Sequence, residues 1–178
     1  MRVGFSGLVL IAAIIFALAF ASAPWFAFRA LRSAAQNQDI LALGELVDYN
    51  AVRGGLRSQI RPTARAQIPP PNIWNDPLGA MRRALEAPME QPVQVDAFLT
   101  PAALARMADG RAPLDRSPAV GAPRFPMITY WDVNRCRIAV EDPAAPALRT
   151  IFTWQRRGLF AWKLVLIRLP SAPAAPPA

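Results

Sequence analysis

The sequence predicts an α+β protein, in which an apolar N-terminal helix precedes several helices and a C-terminal three-stranded antiparallel sheet. Residues 3–28 carry no charged side chain, so the first helix is apolar on every side. In several segments between residues 24 and 110, apolar residues then recur every three or four positions, which is typical of helices. From residue 127 the period changes to the alternation of strands that are buried on one face.

The 178 residues allow one domain besides the terminal segments. Residues 1–23 are a membrane anchor or signal segment, 24–169 a single α+β domain and 170–178 a disordered Pro/Ala tail. Within the domain we expect a stiff proline-rich linker near 68–71 and a long loop over 111–126.

The first segment has the length of a transmembrane helix. Residues 3–23 supply the roughly 20 apolar residues that cross a bilayer. Trp25 and Phe26 then fall where interfacial aromatic residues are expected, and Arg29 and Arg32 fall at headgroup level. This predicts a single-pass anchor in the bacterial inner membrane.

A cleaved signal peptide is the alternative. Arg2 would be its positive start, and cleavage would follow Ala21 or Ala23, although Pro24 disfavours the second site. Both interpretations carry the domain across the membrane. The anchor predicts a periplasmic domain at the membrane surface, and the signal peptide predicts secretion to the periplasm.

Capping residues mark the helices of the domain. Asp39 caps one helix, Asp48 or Asn50 caps the next, and Thr100 caps the last, which Gly110 ends.

Two further expectations concern the middle of the chain. Pro62 should end or kink the helix before it near Arg61. Residues 77–90 have the apolar spacing of another helix.

Three strands are predicted over residues 127–140, 148–156 and 159–169. A tight hairpin at Arg157-Gly158 joins the last two. The third strand should place four alternate residues on one face: Phe160, Trp162, Leu164 and Leu166.

Basic residues suggest one candidate contact surface. The net charge is +8, from nineteen arginines and one lysine, and the arginines are too scattered to indicate nucleic-acid binding. Arg53, Arg57 and Arg61 recur every four residues and would form a stripe on a helix that could contact an anionic surface. The alternative is an ordinary solvated face.

Aromatic residues of the last two strands suggest a second candidate. Phe152, Trp154, Phe160 and Trp162 could line a pocket for an apolar ligand between sheet and helices. Simple core packing is the alternative.

The residue composition gives little support for a catalytic site. The chain has no histidine, which removes the commonest general base and metal ligand. Its one cysteine, Cys136, lies between Arg135 and Arg137 in a predicted strand and should point into the core. The carboxylates are scattered, so we predict no catalytic residues, no metal site, no cofactor and no enzymatic activity.

Several segments together resemble the bacterial domain-of-unknown-function family 2939. They are Pro24-Trp25, Asp39, Leu46-Val47-Asp48-Tyr49, Val52-Arg53, Leu56, Trp162-Lys163-Leu164 and Ile167-Arg168-Leu169-Pro170. The resemblance covers about residues 24–170 and is weakest over 62–126. It implies a small protein with an exported or membrane-anchored start and no known activity.

The last strand also resembles that of SnoaL-like and ketosteroid-isomerase-like cone folds, which implies helices wrapped around a curved sheet. An isomerase-like proton transfer would need a buried acid and a tyrosine donor. By residue type, the candidates are Asp48, Asp132, Tyr49 and Tyr130.

The predicted function is therefore a non-enzymatic interaction module at the inner-membrane surface, held there through residues 3–23, with an unknown protein as partner. The alternative is a binding domain for a small apolar ligand, and the remote alternative is an isomerase-like enzyme.

Overall fold

The computed structural model describes residues 5–66, 95–115 and 125–170. The predicted linker near 68–71 and the helix over 77–90 fall outside these residues. So do residues 171–178 of the tail and residues 116–124 of the long loop.

The N-terminal helix is longer than the apolar segment. It continues from the apolar residues into the domain without a break and includes Pro24. The described helices are α1 (Phe5–Gln36), α2 (Ile40–Leu46), α3 (Tyr49–Ala66), a 3₁₀ turn (Val95–Leu99) and α4 (Pro101–Ala108).

Side-chain caps set the starts of three helices, as predicted. Asp39, Asp48 and Thr100 each accept a hydrogen bond from the amide three residues later, at 3.0, 3.1 and 3.2 Å. Each bond satisfies one amide that has no partner within its helix. Gly110 ends α4 with φ +84°, and a Cβ atom there would overlap the Glu141 carbonyl, so only glycine fits.

Of the two outcomes predicted for Pro62, an end or a kink near Arg61, the end does not occur, because α3 continues through Pro62 to Ala66. Proline removes one helical donor, the bond to the carbonyl four residues earlier, and the remaining backbone bonds can carry a helix past it.

The sheet has four antiparallel strands rather than three, in the order β1-β2-β3-β4. The strands are β1 (Met127–Trp131), β2 (Arg135–Glu141), β3 (Arg149–Arg156) and β4 (Trp162–Arg168). The predicted strand over 127–140 is a hairpin, closed by a 2.8 Å bond from the Asp132 amide to the Arg135 carbonyl. Asn134 lies in the turn between β1 and β2.

A bulge in β4 corrects the predicted face of that strand. Leu164 pairs with Trp154 but Leu166 pairs with Thr153, so Val165 is an extra residue between them. The alternation of inward and outward side chains along β4 therefore shifts by one residue after Val165. As a result Ile167 is fully buried, where Leu166 was expected to be.

One face of the sheet, the inner face, packs against the helices. Phe28 of α1 meets Phe152 of β3 edge to face, with ring centroids 5.4 Å apart. The largest fully buried side chains are Trp154, Phe28, Phe152, Leu31, Leu43, Leu56, Leu104, Met107, Ile138, Leu164, Ile167 and Val52. They come from the helices and from β2, β3 and β4, so a single core joins the two layers.

The free edge of β4 is covered by α3 and the turn before it. The Asp48 amide donates to the Leu164 carbonyl at 2.9 Å. Further along, the Gln59 side chain donates to the Ile167 carbonyl at 2.8 Å and accepts from the Leu169 amide at 3.0 Å. These bonds satisfy backbone groups that an edge strand would otherwise leave open.

Candidate functional site

The arginine stripe of α3 is only partly free. Arg53 forms an ion pair with Asp96, with nitrogen–oxygen distances of 2.8 and 2.9 Å. Arg57 is exposed, and the side chain of Arg61 lies outside the described residues. Arg53 is thus held by an acid of the same chain, which weakens the case for a continuous basic surface here.

The four predicted aromatic residues do not share one environment. Phe152 and Trp154 are fully buried and Trp162 is 3% exposed, all in the core. Phe160 is 48% exposed, because it precedes β4 and lies in the hairpin loop. Three of the four are therefore core residues, and the fourth belongs to a different surface.

Two of these core residues have a polar group with no partner in the described part of the chain. The indole N–H groups of Trp154 and Trp162 are buried, and no described residue supplies a hydrogen-bond acceptor for them. A buried donor without an acceptor costs about 1–3 kcal/mol.

The face of the sheet opposite the helices, which we call the outer face, holds an open cleft. Its volume is about 480 Å³, and three arginines lie along it. The residues that line it are Thr129, Tyr130, Arg135, Arg137, Ile151, Thr153, Val165, Leu166 and Arg168.

Strand register explains why these residues share a face. Arg137 pairs with Tyr130 on one side and with Thr153 on the other, and Thr153 pairs with Leu166. Paired residues point to the same side of a sheet, so the four form a row across all the strands. The Arg137 guanidinium lies over the Tyr130 ring, 5.2 Å from its centroid, which holds this arginine in place.

Basic residues dominate the outer face. Arg135 and Lys163 lie on the same face in the next row to one side, opposite Gln155, and Arg168 lies in the next row to the other side, opposite Ile151. Within the described residues neither these three cations nor Arg137 have an ion-pair partner. On the described strands the acid of this face is Glu141, which lies 3.5 Å from Arg149 at the far end of the sheet. The cleft is thus a cationic surface with polar and apolar groups between the charges.

Sequence reasoning missed this face. The alternation of Arg135, Cys136 and Arg137 correctly placed the cysteine inward and both arginines outward. The β4 bulge, however, hides the outward position of Arg168, and no local pattern shows that β2 and β4 both lie beside β3.

The chemistry of Cys136 is that of a core residue. It is fully buried, and burial raises the pKa of its thiol to about 11. Burial also raises the pKa of Tyr49. Asp48 caps α3 and lies 3.5 Å from Arg157, while Asp132 lies in the exposed β1–β2 turn.

Potential metal ligands are also dispersed. Within residues 5–66, 95–115 and 125–170, no three Cys, Asp or Glu side chains lie together as a metal site requires.

The N-terminal half of α1 differs sharply from the domain. Over Gly7–Gln36 the helix is long and apolar enough to cross a membrane, by length and composition. Leu8, Leu10, Ile14, Ile15 and Leu18 are each at least half exposed. From Ala23 onward, one side of the same helix is buried in the core.

Comparison with known proteins gives one match. The model of the family described as a protein of unknown function (DUF2939) matches residues 13–107, which is more than half of the chain. The match begins in the apolar half of α1 and ends in α4, so the strand residues that carried part of the resemblance lie beyond it.

Other comparisons give no support for a particular activity. Neither the curated proteins nor the solved structures contain a match to this chain. The similarity to cone folds therefore stays a sequence-based expectation. On the strength of the family match, the chain belongs to the DUF2939 family of proteins of unknown function.

Proposed function

We propose that this chain is a membrane-anchored, non-enzymatic interaction module that binds an acidic segment of a partner protein through the outer face of its sheet. The observation that carries this proposal is the cleft along which Arg135, Arg137 and Arg168 lie, with no ion pair to an acid among residues 5–66, 95–115 and 125–170. This face replaces the α3 stripe as the candidate surface, because Arg53 is already paired with Asp96.

The spacing of the arginines suits an extended acidic segment. Arg135 and Arg137 are two positions apart on β2, so their side chains leave the sheet about 7 Å apart. Alternate side chains of an extended peptide have the same spacing. Guanidinium groups bind carboxylates through two parallel hydrogen bonds, which gives both affinity and orientation.

The anchor part of the proposal rests on α1. Its N-terminal half exposes apolar side chains on all sides, while its C-terminal half belongs to the core. We propose that the uncleaved segment spans the bacterial inner membrane and holds the domain on the periplasmic side. Cleavage after Ala21 would cut inside this continuous helix and remove Phe16 and Phe20, which touch the domain.

Intact-mass measurement of the protein from membranes tests the anchor directly. We expect the complete N-terminal segment to be present. A mature chain that begins after Ala21 or Ala23 would replace the anchor with a secreted protein.

In-cell photocrosslinking tests the interaction. A photoreactive residue at Ile151, which lines the cleft, should give a protein adduct, and one at Leu41, which is 86% exposed, should not. The adduct should disappear with Arg135→Glu/Arg137→Glu and persist with Arg57→Glu, which reverses an exposed arginine elsewhere. An adduct that survives the double reversal would contradict the proposal.

A second candidate function is the binding of a small apolar ligand beside the inner face. It is favoured by the orphaned indole N–H groups of Trp154 and Trp162, which a ligand acceptor could satisfy. Native mass spectrometry of the detergent-extracted protein should then show a bound molecule that Trp154→Phe weakens. A spectrum without a bound molecule would contradict this second function and indicate that these tryptophans serve only to pack the core.

The absence of enzymatic activity remains part of the proposal. It is supported by the lack of histidine and by the raised pKa of Cys136, which leaves little thiolate at neutral pH.

A further inference from the structure

The loop between β3 and β4 carries two large apolar side chains at its tip. Leu159 is 64% exposed and Phe160 is 48% exposed. Arg156 and Arg157 precede them, and the Arg157 amide closes the loop with a 2.8 Å bond to the Ala161 carbonyl. The tip therefore combines adjacent large apolar groups with two arginines at its base, of which Arg157 also lies 3.5 Å from Asp48.

This loop touches the apolar half of α1. The Phe160 ring meets the Phe16 ring edge to face, with centroids 5.6 Å apart. The Arg156 guanidinium lies over the Phe20 ring at 5.3 Å. Arg156 is also held by two hydrogen bonds to the Asn134 side chain, at 3.0 and 3.2 Å, so the contact is fixed from the sheet side.

The rise per residue of a helix indicates how deep in a bilayer this contact would lie. Residues 3–15, the uncharged run before Phe16, would span only about 20 Å as a helix. The hydrocarbon core of a bilayer is about 30 Å thick, so this part alone is too short to cross it. The full run of residues 3–23 reaches about 32 Å, and Phe16 then lies about 10 Å inside the nearer boundary.

A domain that touches Phe16 cannot stay wholly outside such a bilayer. We propose that the tip of the β3–β4 hairpin inserts Leu159 and Phe160 among the lipid acyl chains beside α1, with Arg156 and Arg157 at headgroup level. This inference rests on the membrane anchor of the proposed function.

The charges at the base of the loop fit this placement. Arginine side chains near a membrane boundary extend toward the phosphates while their aliphatic parts stay in apolar surroundings. The neighbouring β1–β2 hairpin lies at the same end of the sheet and exposes Trp131 at 41% and Val133 at 46%. Tryptophan is enriched at membrane–water interfaces.

Contact with α1 alone does not account for the tip. Leu159 and Phe160 stay about half exposed or more after that contact is made, so much of their apolar surface is open to another apolar neighbour. Lipid is that neighbour at the depth where α1 is itself exposed.

A fluorophore on single cysteines can measure the depth of the loop. The full chain is reconstituted in phosphatidylcholine–phosphatidylglycerol vesicles after labelling of Leu159→Cys, Ile14→Cys or Leu41→Cys with an environment-sensitive dye. Leu41 is 86% exposed and follows α1 at its far end, so it serves as the aqueous control. Cys136 is buried, and the parent chain treated identically gives the background.

We expect lipids brominated in the acyl chain to reduce the emission of the Leu159→Cys and Ile14→Cys probes, and aqueous iodide to reduce that of the Leu41→Cys probe. Adding Phe160→Asp should restore the emission of the Leu159→Cys probe and leave that of the Ile14→Cys probe unchanged.

Two outcomes overturn the inference in distinguishable ways. If the Leu159→Cys probe responds to iodide while the Ile14→Cys probe responds to brominated lipid, the anchor stands and the hairpin lies in water. If the Ile14→Cys probe also responds only to iodide, the anchor fails, and the inserted hairpin fails with it.

Discussion

The two halves of α1 are one helix in two different environments. Before Ala23 the helix is apolar all round and its large side chains are mostly exposed; after it, Phe28, Leu31 and Ala35 are buried in the core. Backbone geometry is helical throughout, so the difference comes from what surrounds each half. A helix that is apolar on every side needs an apolar medium, whereas an amphipathic one needs a single packed face.

The largest effect on stability should come from truncating a buried side chain in the packed half of α1. Phe28→Ala removes a ring that is 1% exposed and touches Phe152, so we expect a loss of about 3–5 kcal/mol in the free energy of unfolding. Urea denaturation of the full chain in mild detergent measures it.

Phe26→Ala is the matched control. Phe26 is 62% exposed and only two residues away on the same helix, so its loss should change stability by about 0.5 kcal/mol or less. Equal effects at both positions would mean that the helix does not have a packed and an unpacked side here.

A charge in the exposed half of α1 should weaken membrane insertion and leave the stability of the domain unchanged. Ile14 is 50% exposed, and Ile14→Arg should cost about 2.5–3.5 kcal/mol of insertion free energy near the centre of a spanning helix. Carbonate extraction of membranes measures the retained fraction. The urea midpoint of the domain should not move, and a large shift would place Ile14 in the core instead.

These two halves also show how far the sequence predicts the molecule. The apolar N-terminal helix and the three caps follow from local patterns, because caps and helical spacing involve residues within one or two turns. The β1–β2 hairpin and the β4 bulge depend on pairing between strands. A missed turn near Asn134 therefore merged two strands into one, and a single extra residue exchanged Leu166 and Ile167.

The candidate surface was harder to predict for the same reason. Arg135, Arg137 and Arg168 come together only when the order of the strands and the bulge are both known. The stripe of Arg53, Arg57 and Arg61 was visible locally, but its interpretation required Asp96, which is 43 residues away from Arg53.

Thiol reactivity reports on the core that the packed half helps to cover. Raising the pKa of Cys136 from 9.0 to about 11 lowers the thiolate fraction about 100-fold at pH 7.5. Alkylation of the native chain should thus be at least about 100-fold slower than in urea, since burial also blocks access. Similar rates in both conditions would show that this core opens readily.

The smallest effect is expected where the packed half ends and α2 begins. Asp39→Ala removes the side-chain bond to the Ala42 amide and should cost about 1 kcal/mol in the free energy of unfolding. Asn37→Ala is the control, because its side chain makes only a 3.4 Å bond to the exposed Ser33 hydroxyl. Urea titration of both variants should separate them, and no difference would show that the cap contributes nothing.

The continuity of α1 has a consequence for how such a module would find its partner. No flexible tether separates the apolar half of α1 from the domain, and the packed half, residues 23–36, is only about 20 Å long. In the proposed arrangement the continuous helix restricts both the distance of the cationic cleft from the bilayer and its orientation relative to it. Encounters are thereby confined to a thin layer along the membrane, so a protein that diffuses in the same plane would meet it by a two-dimensional search.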